Sequence, residues 1–140
     1  MKKKGSFKIN KTLRNGLMGI IVSLLHGIAS IILTKTPYSN LLIYHYVFAI
    51  LAFLLYGFII GILIKPLLDK LKLEYWLKNG IFGIIYTIIF SVVISLTTYN
   101  LINAGFYGFI VMVKITLIQW SIPLFIFGII AGYIIKKLER

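Results

Sequence analysis

Within the apolar stretches of this chain, the side chains able to do chemistry are His26, His45, Lys114, Gln119 and Trp120. Histidine titrates near neutral pH, so His26, near the middle of its apolar run, is a candidate proton or ligand site. The structural alternative is a neutral imidazole hydrogen-bonded to Ser23, Ser30 or a hydroxyl of a neighbouring segment. Helix rise sets His45 about 7 Å from His26 along the membrane normal. A shared metal is therefore not expected, and two histidines without a carboxylate are a poor ligand set. Lys114 is read either as a boundary residue whose ammonium snorkels to water or, if buried, as the counter-charge of an anionic headgroup or substrate. Trp120 is an interfacial anchor or a stacking platform. Pro123 is expected to kink its helix and free a carbonyl near Gln119.

The residues that are missing narrow the chemistry further. There is no cysteine, which removes disulfide, thiol and thiolate-metal chemistry. The three acids, Asp69, Glu74 and Glu139, all lie outside the apolar stretches. No Ser/His/acid set is complete and no phosphate-cradling glycine loop is present. General acid–base catalysis needs a positioned pair, and none is found. The expectation is a non-enzyme with no cofactor and no metal.

The elements that must position these residues follow from hydropathy. The chain is 140 residues long and 60% hydrophobic, with a mean hydropathy of +0.99, well above a soluble domain. Four stretches reach the roughly 20 apolar residues of a membrane-crossing helix: about 16–34, 42–64, 80–102 and 109–135. In lipid they must be helical, because an open sheet leaves backbone groups unpaired. The predicted fold is an all-α, four-helix membrane bundle.

A net charge of +12 would suggest nucleic acid, but its placement points to a membrane. Thirteen of the fifteen basic residues fall before the first stretch, between the second and third, or after the fourth; only Lys35 and Lys114 fall on the other side. That bias places both termini in the cytoplasm and sets basic side chains against anionic headgroups. Ile- and Lys-rich usage points to a bacterial plasma membrane.

The chain also reads as two tandem hairpins. Arg14-Asn15-Gly16-Leu17-Met18-Gly19 recurs as Lys78-Asn79-Gly80-Ile81-Phe82-Gly83, and Gly57-x-x-x-Gly61 as Gly128-x-x-x-Gly132. The units are a basic tail (1–13), a first hairpin (14–69), a connector (70–77) and a second hairpin (78–140). Each hairpin enters and leaves on the same side, so the repeats are parallel. The connector is expected either as an interfacial helix anchored by Tyr75 and Trp76 or as an extension of the second helix past Pro66. Pro37 and Asn40 mark the first far-side turn; the second, near residues 100–108, is uncharged.

Small residues line the helix faces: Gly16, Gly19, Ser23 and Gly27 in the first helix, Gly80, Gly83, Thr87 and Ser91 in the third, then Gly57, Gly61, Gly128 and Gly132. They let backbones approach closely, which drives helix packing in lipid. Beyond them the hairpins diverge: His26 matches Phe90, His45 matches Thr116, and Ala49 and Ala52 match Trp120 and Pro123. Two functional readings follow. One is an accessory subunit, modulator or immunity-type protein that docks on a partner in the membrane, with Gly57/Gly61 as a possible face. The other is a homo-oligomeric transporter or channel using His26 and Lys114.

Overall fold

The computed structural model describes residues 10–34, 43–98 and 101–139, without the side chains of 34, 43–46, 49, 97–98 and 101–104. The tail before residue 10 and the turn carrying Lys35, Pro37 and Asn40 therefore lie outside the described residues.

Four helices account for nearly all of it: α1 (Lys11–Thr34), α2 (Ile43–Asp69), α3 (Tyr75–Thr98) and α4 (Leu101–Leu138). All four are long and apolar enough to cross a membrane, the architecture of a multi-pass membrane protein. Most helices outrun their apolar stretch, because backbone hydrogen bonding continues where lipid-type side chains stop. At the start of α1 the Thr12 N–H donates to Asn10 Oδ1 at 3.1 Å, so Asn10 caps the helix a turn ahead of the apolar run. Helix α2 runs through Pro66 to Asp69 and closes with Lys70 and Leu71 N–H groups donating to the Leu67 and Leu68 carbonyls. Of the two expectations for the connector, the extension past Pro66 is the one formed. Residues 70–74 are a short link, and Tyr75 and Trp76 open α3.

In α4 a break in helical geometry also falls away from Pro123. Non-helical backbone falls at Gly105 (φ 67°, ψ 172°), while helical geometry continues through Pro123. Gly105 takes the positive φ at no Cβ cost, so it separates the first residues of α4 from the helical run beginning at Phe106.

Neighbouring helices run antiparallel. α1 packs on α2 and α4, and α3 packs on α4 and α2, with the closest contacts inside each hairpin. The two seams within hairpins are built alike. A Cβ on Gly19 would overlap the Gly57 carbonyl, and one on Gly83 would overlap the Leu124 carbonyl. Gly61 sits on the Asn15 carbonyl and Gly128 on the Asn79 carbonyl, while Gly16 faces the Phe58 ring and Gly80 the Phe125 ring. Gly61 is thus the spatial counterpart of Gly128, and Gly57 of Leu124. The letter match set Gly57 against Gly128, one helical turn away. Glycines spaced four apart repeat once per turn, so an alignment slipped by one turn matches almost as many letters.

Packing of this kind places backbone against backbone in the half of the bundle carrying Arg14, Lys65 and Lys78, hereafter the basic end. Large side chains such as Leu51, Leu55, Ile118 and Ile122 face outward, as a lipid solvent permits.

Candidate functional site

Two polar sites lie along the bundle axis. The first closes the basic end and draws on all four helices. Lys65 is buried and pairs with Asp69 one turn on; Arg14 reaches Asp69 at 3.4 Å and Glu139 at 3.7 Å. Lys78 Nζ donates to the Asp69 carbonyl at 3.3 Å. The Tyr75 hydroxyl donates to the Gly132 carbonyl at 2.8 Å, and its ring lies under Lys65 (5.9 Å) and Lys136 (5.6 Å). Asn15 and Asn79 are fully buried behind this layer, and Asn15 Oδ1 meets no hydrogen-bond partner. A cavity of about 20 Å³ beside Arg14, Asn15, Lys65, Asp69 and Tyr75 has room for one water. Chemically this is a lock: Asp69, at the last turn of α2, holds cations of α1, α2 and α3 together.

The second site is a box around His26, in which each of the other helices supplies an aromatic ring. Trp120 of α4 lies 4.4 Å away, Phe90 of α3 4.6 Å, Phe53 of α2 5.4 Å and Tyr86 of α3 6.1 Å. Most of these rings meet the imidazole edge to face, the arrangement aromatic quadrupoles prefer. His26 is 1% exposed and its Nδ1 has no hydrogen-bond partner. Ser23, one of the hydroxyls expected to hold it, bonds instead to the Tyr86 hydroxyl at 2.8 Å. By the contact register Phe53 and Trp120 are counterparts, and so are His26 and Phe90. The core of the box is therefore two pairs of matching positions, holding two phenyl rings, an indole and, at the fourth, an imidazole.

The remaining sequence candidates separate. Trp120 is buried against His26, neither an interfacial anchor nor free to stack a ligand. Gln119 and Lys114 face outward. His45 stands in α2, but its side chain lies outside the described residues. Gly16, Gly19, Gly57 and Gly61 are buried between α1 and α2, and Gly80, Gly83, Gly128 and Gly132 between α3 and α4. A Cβ on Gly27 would make only ordinary contact with Phe53, at 3.6 Å. Of the two readings of the Gly57/Gly61 face, helix packing or docking, the contacts fit packing: it is consumed inside its own hairpin. Thr87 and Ser91 are buried and return hydrogen bonds to their own helix, to the Gly83 and Ile88 carbonyls. Among the described residues no three histidines or carboxylates cluster as a metal site would need.

Two apolar grooves open sideways in the half away from the basic end. One of about 200 Å³ lies between α2 and α3, lined by Ala52, Phe53, Tyr56, Phe90, Val93 and Ile94. The other, about 400 Å³, lies between α3 and α4 and carries Lys114 among Val92, Phe109, Val113 and Leu117.

The basic-end lock was not singled out from the sequence. Lys65 and Asp69 stand at the i,i+4 spacing of a helical ion pair, and Asn15 and Asn79 were visible only as markers of the repeat.

Compared with known protein families, with curated proteins and with solved structures, the chain matches none.

Proposed function

We propose that this is a small non-enzymatic protein of a bacterial plasma membrane that acts by docking sideways onto a partner membrane protein, as an accessory subunit, modulator or immunity-type protein. The observation that carries this reading is where open space lies. The axis is filled, by the Asp69 lock at the basic end and the His26 box beyond it, whereas the α2–α3 groove opens toward lipid. Helices α2 and α3 form the thinnest of the four seams, and Ala52 gives the groove a small-residue wall where a foreign helix could approach closely. Phe53 and Phe90 line the groove and also pack against His26. A helix seated there would press on the box, so docking and the state of His26 are coupled.

The positive-inside bias supports both termini lying in the cytoplasm, with the Asp69 lock at the inner surface among anionic headgroups. The matched contacts of the two hairpins support their being copies of one unit, with the imidazole a later asymmetry. A photo-crosslinking residue at Ala52, expressed in the native host, tests the docking. The expected result is one crosslinked polypeptide, absent when the crosslinker stands at Ile122 on α4. Crosslinks to lipid alone from both positions would refute it.

A second reading rests on Nδ1 of His26, a buried titratable atom with no partner: a homo-oligomeric transporter passing protons or a small substrate. It requires pH-dependent flux in vesicles that His26→Phe abolishes.

A further inference from the structure

Among the described residues Lys114 has no counter-charge. All three acids of the sequence, Asp69, Glu74 and Glu139, lie at the basic end, and every ion pair formed by the described residues is there too. The depth of Lys114 follows from helix rise. Phe90, level with His26, is twelve residues above Lys78, about 18 Å, and Lys114 is six residues above Trp120, about 9 Å more. Lys114 therefore stands about 27 Å from the level of Lys78, at the far edge of a hydrocarbon core about 30 Å thick. Its side chain is exposed and belongs to the wider groove, where Val92 of α3 and Leu117 and Ile118 of α4 form an apolar slot running inward. About two turns farther out, Phe106 and Tyr107 are 70% and 81% exposed, where interfacial aromatics sit among headgroups.

We infer that the α3–α4 groove is a binding site for one anionic phospholipid of the leaflet opposite the basic end. Its phosphate pairs with Lys114 and one acyl chain lies along Val92, Leu117 and Ile118. The shape and the charge each call for part of this ligand: an apolar slot accepts a hydrocarbon chain, and a lone ammonium at headgroup depth requires an anion. The site is separate from the α2–α3 groove and does not depend on a protein partner.

The test uses the full chain purified in mild detergent after reconstitution into phosphatidylcholine alone or phosphatidylcholine mixed with phosphatidylglycerol. Retained lipid is read by native mass spectrometry. The wild type should keep one phosphatidylglycerol in preference to phosphatidylcholine. Lys114→Gln should lower that occupancy about five-fold, the effect of one basic residue near an anionic surface, and Leu117→Trp should lower it by filling the slot. Gln119→Ala, on the outward face nearby, should leave it unchanged. Lys114→Gln is a surface change, so the test survives a misfolded Leu117→Trp. Equal retention of both lipids, or unchanged retention by Lys114→Gln, would overturn the inference. So would loss of a co-purifying polypeptide from Lys114→Gln with lipid retention intact, since the counter-charge would then be a protein carboxylate.

Discussion

Replacing His26 by phenylalanine should stabilise the bundle. The imidazole is enclosed by Phe53, Tyr86, Phe90 and Trp120 with Nδ1 unbonded, and an unsatisfied buried polar atom costs about 1–3 kcal/mol. A phenyl ring removes that atom and keeps the edge-to-face contacts. The matching position already holds Phe90, so the extra ring atom fits a geometry the box accommodates, and overpacking should return no more than about 1 kcal/mol. The net expectation for His26→Phe is a gain of about 1 kcal/mol. His26→Ala leaves a cavity instead and should lose about 2–4 kcal/mol. Reversible unfolding in mixed micelles of mild and denaturing detergent measures both, with Trp120 fluorescence reporting on the box directly. A loss of more than about 1 kcal/mol in His26→Phe would refute the reasoning, because Nδ1 would then have a partner worth keeping. A more stable yet inactive variant would show that the histidine is retained at the expense of stability for a task, as active residues often are.

The glycines should separate by what a methyl group would meet. Gly19→Ala and Gly83→Ala drive a Cβ into opposing backbone and should each cost about 1–3 kcal/mol in the same assay, whereas Gly27→Ala, facing Phe53 at 3.6 Å, should be neutral or mildly stabilising. Gly105→Ala meets no neighbouring atom but forces a side chain into a positive-φ, extended-ψ conformation that is essentially glycine's alone, so its cost of about 1–3 kcal/mol should be pure backbone strain. Asp69→Asn leaves buried Lys65 without its carboxylate and should cost about 3 kcal/mol; Glu139→Gln removes a half-exposed partner and should cost less than about 1. Tyr86→Phe deletes the bond to Ser23, and the loss should be about 0.6 kcal/mol, typical of interhelical hydrogen bonds in membranes.

Hydropathy made the number and rough place of the helices readable, because lipid demands a long apolar run for each crossing. It did not reveal their ends. Asn10, Pro66 and Tyr75 lie in the polar margins, where capping and side-chain bonds decide, and the non-helical backbone at Gly105 carried no signal beside the visible Pro123. The small residues were recognisable as packing faces, but not what they packed against. Only the contacts showed that Gly61, and not Gly57, plays the part of Gly128. His26 stood out as an intramembrane histidine, yet its surroundings depend on rings from three other helices, and no spacing along one helix encodes that. Lys65 and Asp69 went unnoticed as a pair, because positive-inside counting treats basic residues singly and passes over their pairing.

The central claim is that this bundle works through its side, on another protein. Gentle extraction at native expression level followed by native mass spectrometry of the intact complex tests it most directly. A second polypeptide in fixed stoichiometry, lost from Ala52→Trp while the bundle stays folded, is the predicted result. A chain recovered only alone or with copies of itself would contradict the claim.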